Sequence, residues 1–243
     1  MTTPSTAAAT TTASRSRSSR PNSPRTWLAG AGLEPVPYFS EGGGLDEDRL
    51  RRELARRKRL YLAGRLDPLA RAFLARRAEA DPLFFLDQFV FGYDPRRLLH
   101  LPLVAWPRQR EYVAFLHECA TAGRELVVEK ARDVGVTSLT CAYALWRWRF
   151  APGFKTTFCA NKLDLVDARG NPDSIFEKLR LILRALPAWL APEGFAWARH
   201  DREARLLTPA NGNVVTGEGG DNAGRGGRST WWTRRRTSSA PRR

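Results

Sequence analysis

The chain has 243 residues, of which 42% are apolar, and carries 40 basic against 25 acidic side chains for a formal charge of +15. That is enough apolar material for one α/β domain with extensions, and it excludes a membrane-spanning helix, since no apolar run approaches the roughly 18 residues required. Cys119, Cys141 and Cys159 are scattered without a CxxC pair, and His100, His117 and His200 stand alone, a distribution that points away from disulfides or a metal centre and towards a reducing cytoplasm.

The positive charge is unevenly placed. Residues 1–25 hold four arginines and no acid, and residues 225–243 hold seven arginines and no acid; taking these 11 from the 40 basic residues leaves 29 against 25 acids in the middle. The excess lives in the tails, so a polyanion can find the tails at low salt without the body presenting a basic face. The N-terminus also lacks the apolar stretch of a secretory signal.

In chain order, residues 1–26 are rich in Ser, Thr, Ala and Arg and offer nothing to bury, which predicts disorder. Residues 27–100 read as a helical arm. After the glycine run 42–44, three helical patterns follow, with Asp67-Pro68 and Asp81-Pro82 as N-cap and first-turn pairs. In the first pattern Leu50, Leu54 and Tyr61 sit at helical spacing among arginines, which predicts an amphipathic helix with a solvated basic face. Residues 101–230 change texture. A helix is expected over 108–122, a short buried strand over 125–129 (ELVVE), a helix over 138–150 and a second strand over 155–160 (KTTFCA). Ser174 and Glu177 form a capping box that opens a helix ending before Pro187. Residues 204–208 and 213–217 flank Asn211-Gly212 as a hairpin. Strand, loop, helix, strand is the order of an α/β fold with a parallel sheet.

The loop from Lys130 to Ser138 joins an expected strand to an expected helix, where backbone N–H groups and a helix dipole can face a phosphate. The usual signature, GxxxxGK followed by Ser or Thr, is not met, because Ala131 and Val136 stand where Gly and Lys would be. The same chemistry can be supplied differently. Gly135 allows close backbone approach, Thr137 (with Ser138 beside it) can ligate Mg²⁺, and Lys130 or Arg132 can bring the cation to the β- and γ-phosphates of ATP. An ordinary strand–turn–helix with surface charges remains the alternative.

The segment KARDVGVTSL resembles the deviant phosphate loop of phage large terminases, in which a lysine and an arginine precede Gly-x-Thr. The resemblance spans roughly residues 81–230. Trp106-Pro107-Arg108-Gln109 is similar to the family's adenine-contacting glutamine motif, and a Gln amide suits the adenine edge by pairing donor and acceptor together. The stretch 161–192, with its Leu-Pro-x-Trp-Leu ending, and the hairpin followed by a Gly/Arg loop also match in order. The resemblance implies a P-loop NTPase fold, an incomplete parallel sheet with flanking helices, preceded by the helical arm and the disordered tail. It implies Mg²⁺ and ATP as cofactors, and Arg225 or Arg228 as an arginine finger reaching a neighbouring subunit's nucleotide. It further implies double-stranded DNA, a portal protein, a small terminase subunit and a homo-oligomeric ring as partners, in a bacterial host cytoplasm and with no membrane. Asp164, Asp167 and Asp173 read as loop and cap carboxylates; the family's nuclease lies in a later domain that these residues do not supply.

After Thr230 the family has a strand ending in Asp-Glu, the Asp assisting Mg²⁺ and the Glu polarising water. Residues 231–243 read instead as an Arg-rich tail with no acid. Trp231-Trp232-Thr233 must be encoded TGGTGGACN, whose shifted reading contains Val-Asp, and permitted codons extend it to Val-Asp-Glu-Ala-Ala. A frameshift near residues 228–230 is therefore the expectation, and with it a truncated, hydrolysis-incompetent fragment of an ATPase. Two other readings stay open: a helicase-like or other P-loop ATPase, and a non-enzymatic basic DNA-binding protein whose salt-dependent affinity would vanish without residues 1–25 and 229–243.

Overall fold

A computed structural model describes residues 32–40, 43–131, 134–220 and 229–232. Three helices open the fold: α1 (Glu47–Leu66), α2 (Pro68–Ala80) and α3 (Pro82–Phe89). Their joints follow from the Asp-Pro pairs. The carboxylate of Asp46 accepts from the Arg49 N–H at 3.0 Å, that of Asp67 from Leu69 at 2.8 Å, and that of Asp81 from Leu83 at 2.8 Å. Each acid satisfies a first-turn donor, and after Asp67 and Asp81 the proline supplies a preset φ, so α1 ends where α2 begins and α2 where α3 begins. A short antiparallel hairpin, β1 (Phe91–Asp94) and β2 (Leu99–Pro102), follows. It had no sequence counterpart within the expected helical arm.

The inward face of α1 differs from the expected one. Leu54 points to solvent, and the buried stripe is Glu53, Arg56, Arg57, Leu60, Ala63 and Gly64, which keeps the helical period. Arg56 and Arg57 are therefore buried rather than solvated. Their partners make this tolerable: Glu53 accepts from Arg56 at 2.6 and 2.8 Å and from Arg57 at 2.8 Å, and Arg57 donates to the carbonyls of Val90 and Leu103 at 2.5 and 2.8 Å. Burial alone would raise the Glu53 carboxyl, but hydrogen bonds from Arg56, Val36 and Arg57 outweigh it and hold it below the usual range.

The remainder consists of α4 (Pro107–Ala122), α5 (Val136–Phe150), β3 (Lys155–Ala160), α6 (Leu163–Val166), α7 (Ile175–Ala185), α8 (Trp197–His200), β4 (Asp201–Arg202), β5 (Arg205–Leu207), β6 (Val214–Gly219) and β7 (Ser229–Trp232). The five-stranded sheet has the order β4-β5-β6-β3-β7. β3 pairs in parallel with both β6 and β7, while β4 and β5 are antiparallel additions. The fold is thus mixed α/β. Ser174 caps α7 through the Glu177 N–H at 3.4 Å, and the turn at Asn211-Gly212 precedes β6, both as the sequence suggests. Asn213 ties β6 to the entry of β3: its amide donates to Trp148 and Ala151 carbonyls, and its oxygen accepts from the Phe154 N–H at 2.7 Å.

One core runs through the whole fold. Leu60, Leu74, Phe85 and Phe89 of the first three helices share a cluster with Leu139, Tyr143 and Trp146 of α5, Phe158 of β3 and Leu179 of α7. Gly64 is a contact of that core, since a Cβ there would lie 2.4 Å from the indole of Trp189. Among the described residues no helix is long and apolar enough to cross a membrane.

Two strand expectations change. Residues 125–129 form no strand and join no sheet, and Val127 is 94% exposed. An apolar tripeptide becomes a buried strand only if neighbours supply a ladder, and the strands beside β3 are β6 and β7. Conversely Trp231 and Trp232, assigned from sequence to an irregular tail, continue β7 and pair with Phe158 and Cys159 of β3. The disorder expected of residues 1–26, and the Arg-rich segment 233–243, lie outside the described residues.

Candidate functional site

The loop singled out by its phosphate-binding chemistry ends at α5. Gly135 is the helix N-cap with φ 76°, in the left-handed region that favours glycine. Thr137 and Ser138 fall in the first turn of α5, half-buried, and Lys130 is exposed in the extended segment leading to it. Arg132, Arg225 and Arg228 lie outside the described residues, so the cation and arginine-finger assignments rest on sequence alone.

Gln109 comes to this loop from 25 residues upstream. It stands in the first turn of α4, which Pro107 opens, and its amide oxygen accepts from the Trp106 N–H at 3.0 Å. Its amide nitrogen donates to the Val134 carbonyl at 3.1 Å and sits 3.1 Å from where a Cβ on Gly135 would be. Gln109 thus joins the start of α4 to the start of α5. The pairing continues along both helices: the Tyr112 hydroxyl meets Thr140 Oγ1 at 2.6 Å, and His117 Nδ1 meets the Tyr143 hydroxyl at 3.0 Å. Residues rise together on the two helices, so both N-termini open at the same end. Two positive dipole ends therefore converge around residues 134–138, an electrostatic setting suited to an anion.

The start of α4 is anchored from behind. Asp87 of α3, buried, pairs with Arg110 and accepts from the Ala105 N–H at 3.3 Å. Burial pushes the Asp87 carboxyl up from its ordinary value, against the pull of Arg110. This anchor was not visible in the sequence, where Asp87 and Arg110 are ordinary helix residues 23 positions apart. Arg108 is turned outward and pairs with Glu111 at 2.8 Å.

The hydroxyls of Thr137 and Ser138 are hard oxygen donors of the kind Mg²⁺ takes, and the N-terminal turn of α5 carries N–H groups that can face a phosphate. When bound, such an ion offsets phosphate charge. Among the described residues no group of three or more His, Cys, Asp or Glu side chains could hold a metal ion by itself. Ser138 also lines a crevice of about 20 Å³ with Tyr93 and Lys178, far too small for a nucleotide.

A larger cleft of about 430 Å³, lined by Arg169, Arg184, Trp197, Ala198 and Asp201, lies elsewhere. Its floor is an ion-pair cluster that sequence reading missed. Fully buried Arg180 meets Asp167 at 2.6 and 2.8 Å, Asp201 at 3.0 Å and Glu177 at 3.3 Å. Asp201 also accepts from Arg169 at 3.1 Å, and Glu177 from Arg184 at 2.9 Å. Arg169, Arg180 and Arg184 are thus matched across the cluster by Asp167, Glu177 and Asp201, with the acids buried and Arg169 and Arg184 half-exposed at the cleft. Asp167, read from sequence with Asp164 and Asp173 as a loop or cap carboxylate, follows the end of α6 and is a structural partner of Arg180; Ser174 caps α7, as the sequence suggests. The α4–α5 end brings together two helix N-termini, whereas the roomier cleft offers guanidinium groups already engaged by buried carboxylates. No protein-family model matches the chain, and a search of curated proteins returns no relative.

Proposed function

We propose that this chain is the nucleotide-binding part of a P-loop ATPase of the phage large-terminase type, one that grips Mg·ATP at the joined starts of α4 and α5 without turning it over. A single observation carries the reading. Gln109, assigned to adenine, and Gly135, assigned to the phosphate loop, are 26 positions apart in sequence and adjacent in space. In this account the N–H groups before and within the first turn of α5 hold the phosphates, Thr137 with Ser138 faces Mg²⁺, Lys130 and Arg132 add positive charge, and the Gln109 amide exchanges its Val134 bond for the base edge. A working enzyme of this type couples hydrolysis to moving double-stranded DNA into a procapsid, with portal protein, small subunit and a ring of copies. Here β7 is followed by Thr233 and Arg234 rather than by carboxylates, which leaves no general base for water at that strand end.

Photolabelling with an azido-adenine analogue of ATP tests this arrangement. The label is expected on the tryptic peptides around Gln109 and residues 125–138, competed by ATP. Labelling confined to the Arg184–Trp197 cleft or to the arginine tails would remove the proposal.

A further inference from the structure

The outward face of α1 has its own pattern, independent of the nucleotide site. Leu54 (41% exposed), Lys58, Leu62 (41%) and Leu66 (68%) form a row in steps of four residues, and Leu69 (63%) follows it past the Asp67 joint. Steps of four form the ridge by which helices most often pack against one another. None of these leucines belongs to the core, whose contacts on α1 come from the opposite stripe headed by Glu53 and Arg56.

Charge surrounds the ridge. Arg52, Lys58, Arg59 and Arg65 are exposed and have no acidic partner among the described residues, whereas neighbouring Arg49 and Arg51 are already paired with Asp46, Glu47 and Asp48. We infer that this face docks an acidic amphipathic helix of a partner protein, with apolar side chains set over Leu54, Leu62, Leu66 and Leu69 and carboxylates set over the four unpaired cations. Complementary charge chooses this occupant over the others. A second copy would bring the same cations and be repelled. The chain's own first 25 residues hold arginines and no acid. Duplex DNA would engage the cations and leave four leucines in water. A lipid surface needs an apolar face segregated from its cations, but here Lys58 interrupts the leucines and the segregated face is locked in the core.

The test uses the full chain and a fluorescein-labelled synthetic helix of roughly 20 residues, leucine on one face and glutamate on its flanks, read by anisotropy. Saturable binding in about the micromolar range is expected. It should weaken at least about tenfold in Leu62→Ala/Leu66→Ala and similarly in Arg59→Glu/Arg65→Glu, with helical circular dichroism unchanged because all four side chains are exposed. A lysine-flanked version of the peptide should not bind. Absence of saturable binding overturns the inference, as does binding indifferent to the leucine pair, which would reduce the contact to bulk charge. Phosphatidylserine vesicles or a DNA duplex binding in its place, with the same dependence on both variants, also overturns it.

Discussion

Replacing Arg180 by methionine removes the centre of the largest buried ion cluster among the described residues while keeping side-chain length. Arg180 is 0% exposed, and its guanidinium serves three acids: Nη1 and Nη2 hold Asp167, Nε holds Asp201, and Nη1 also reaches Glu177. Leaving a buried charge without its partner costs about 3–5 kcal/mol. The lower end applies here, because each acid keeps another donor: Asp167 the Ala204 N–H at 2.7 Å, Asp201 the Arg169 guanidinium, and Glu177 the Arg184 guanidinium. A loss of about 3 kcal/mol in a chain of this length lowers Tm by roughly 6–12 °C. Urea denaturation followed by tryptophan fluorescence reads it directly. Arg184→Ala serves as the control: that side chain is 48% exposed, so its pair is screened and is worth at most about 1 kcal/mol. If Arg180→Met stays within about 1 kcal/mol of the parent, the cluster is not the tie between α7, β4 and the end of α6 that the geometry describes.

Acid should act on the same residues. Hydrogen bonds hold the carboxyls of Asp167, Glu177 and Glu53 below their ordinary values of 3.8, 4.5 and 4.5 despite burial, which alone would raise them. A depressed folded value means stability that is complete above the ordinary value and lost as pH falls through the folded one. Unfolding free energy should therefore decline below about pH 4.5, and the decline should be shallower in Arg180→Met, as a pH series of urea melts would show. Gly64→Ala gains about 1 kcal/mol of helix propensity but sets a methyl against the Trp189 ring, so a net loss of stability is expected; an unchanged or raised Tm would deny that close approach. Gln109→Ala removes a helix cap worth about 1 kcal/mol and the tie to Val134, and should speed amide exchange at residues 134–138 more than in the core. Equal protection in the two proteins would show that Gln109 does not hold the loop.

Local chemistry was legible in the sequence and reciprocal burial was not. Asp67-Pro68, Asp81-Pro82 and the Ser174 box name their helix starts because cap and donor lie within three residues of each other, and KTTFCA reads as β3 because all of it after Lys155 is apolar or β-branched. The inward face of α1 could not be read, since Glu53, Arg56 and Arg57 are buried only because they satisfy one another and the Val90 and Leu103 carbonyls. Residues 125–129 show the reverse failure: the tripeptide Leu-Val-Val has strand character, yet a strand needs a neighbour that sequence alone does not place. At the candidate site, residue types pointed to Gln109, Gly135 and Thr137. The shared direction of α4 and α5, which turns these into one electropositive corner, depends on Tyr112–Thr140 and His117–Tyr143, pairs separated by 28 and 26 positions.

Titration of the full chain with ATP, with and without Mg²⁺, addresses the central claim most directly. Saturable binding strengthened by Mg²⁺, weakened about tenfold or more by Thr137→Ala and by Lys130→Ala, with turnover far below the roughly 1 s⁻¹ of an ordinary ATPase, is the expected result. No saturable binding at millimolar ATP, or binding that neither substitution alters, would contradict it.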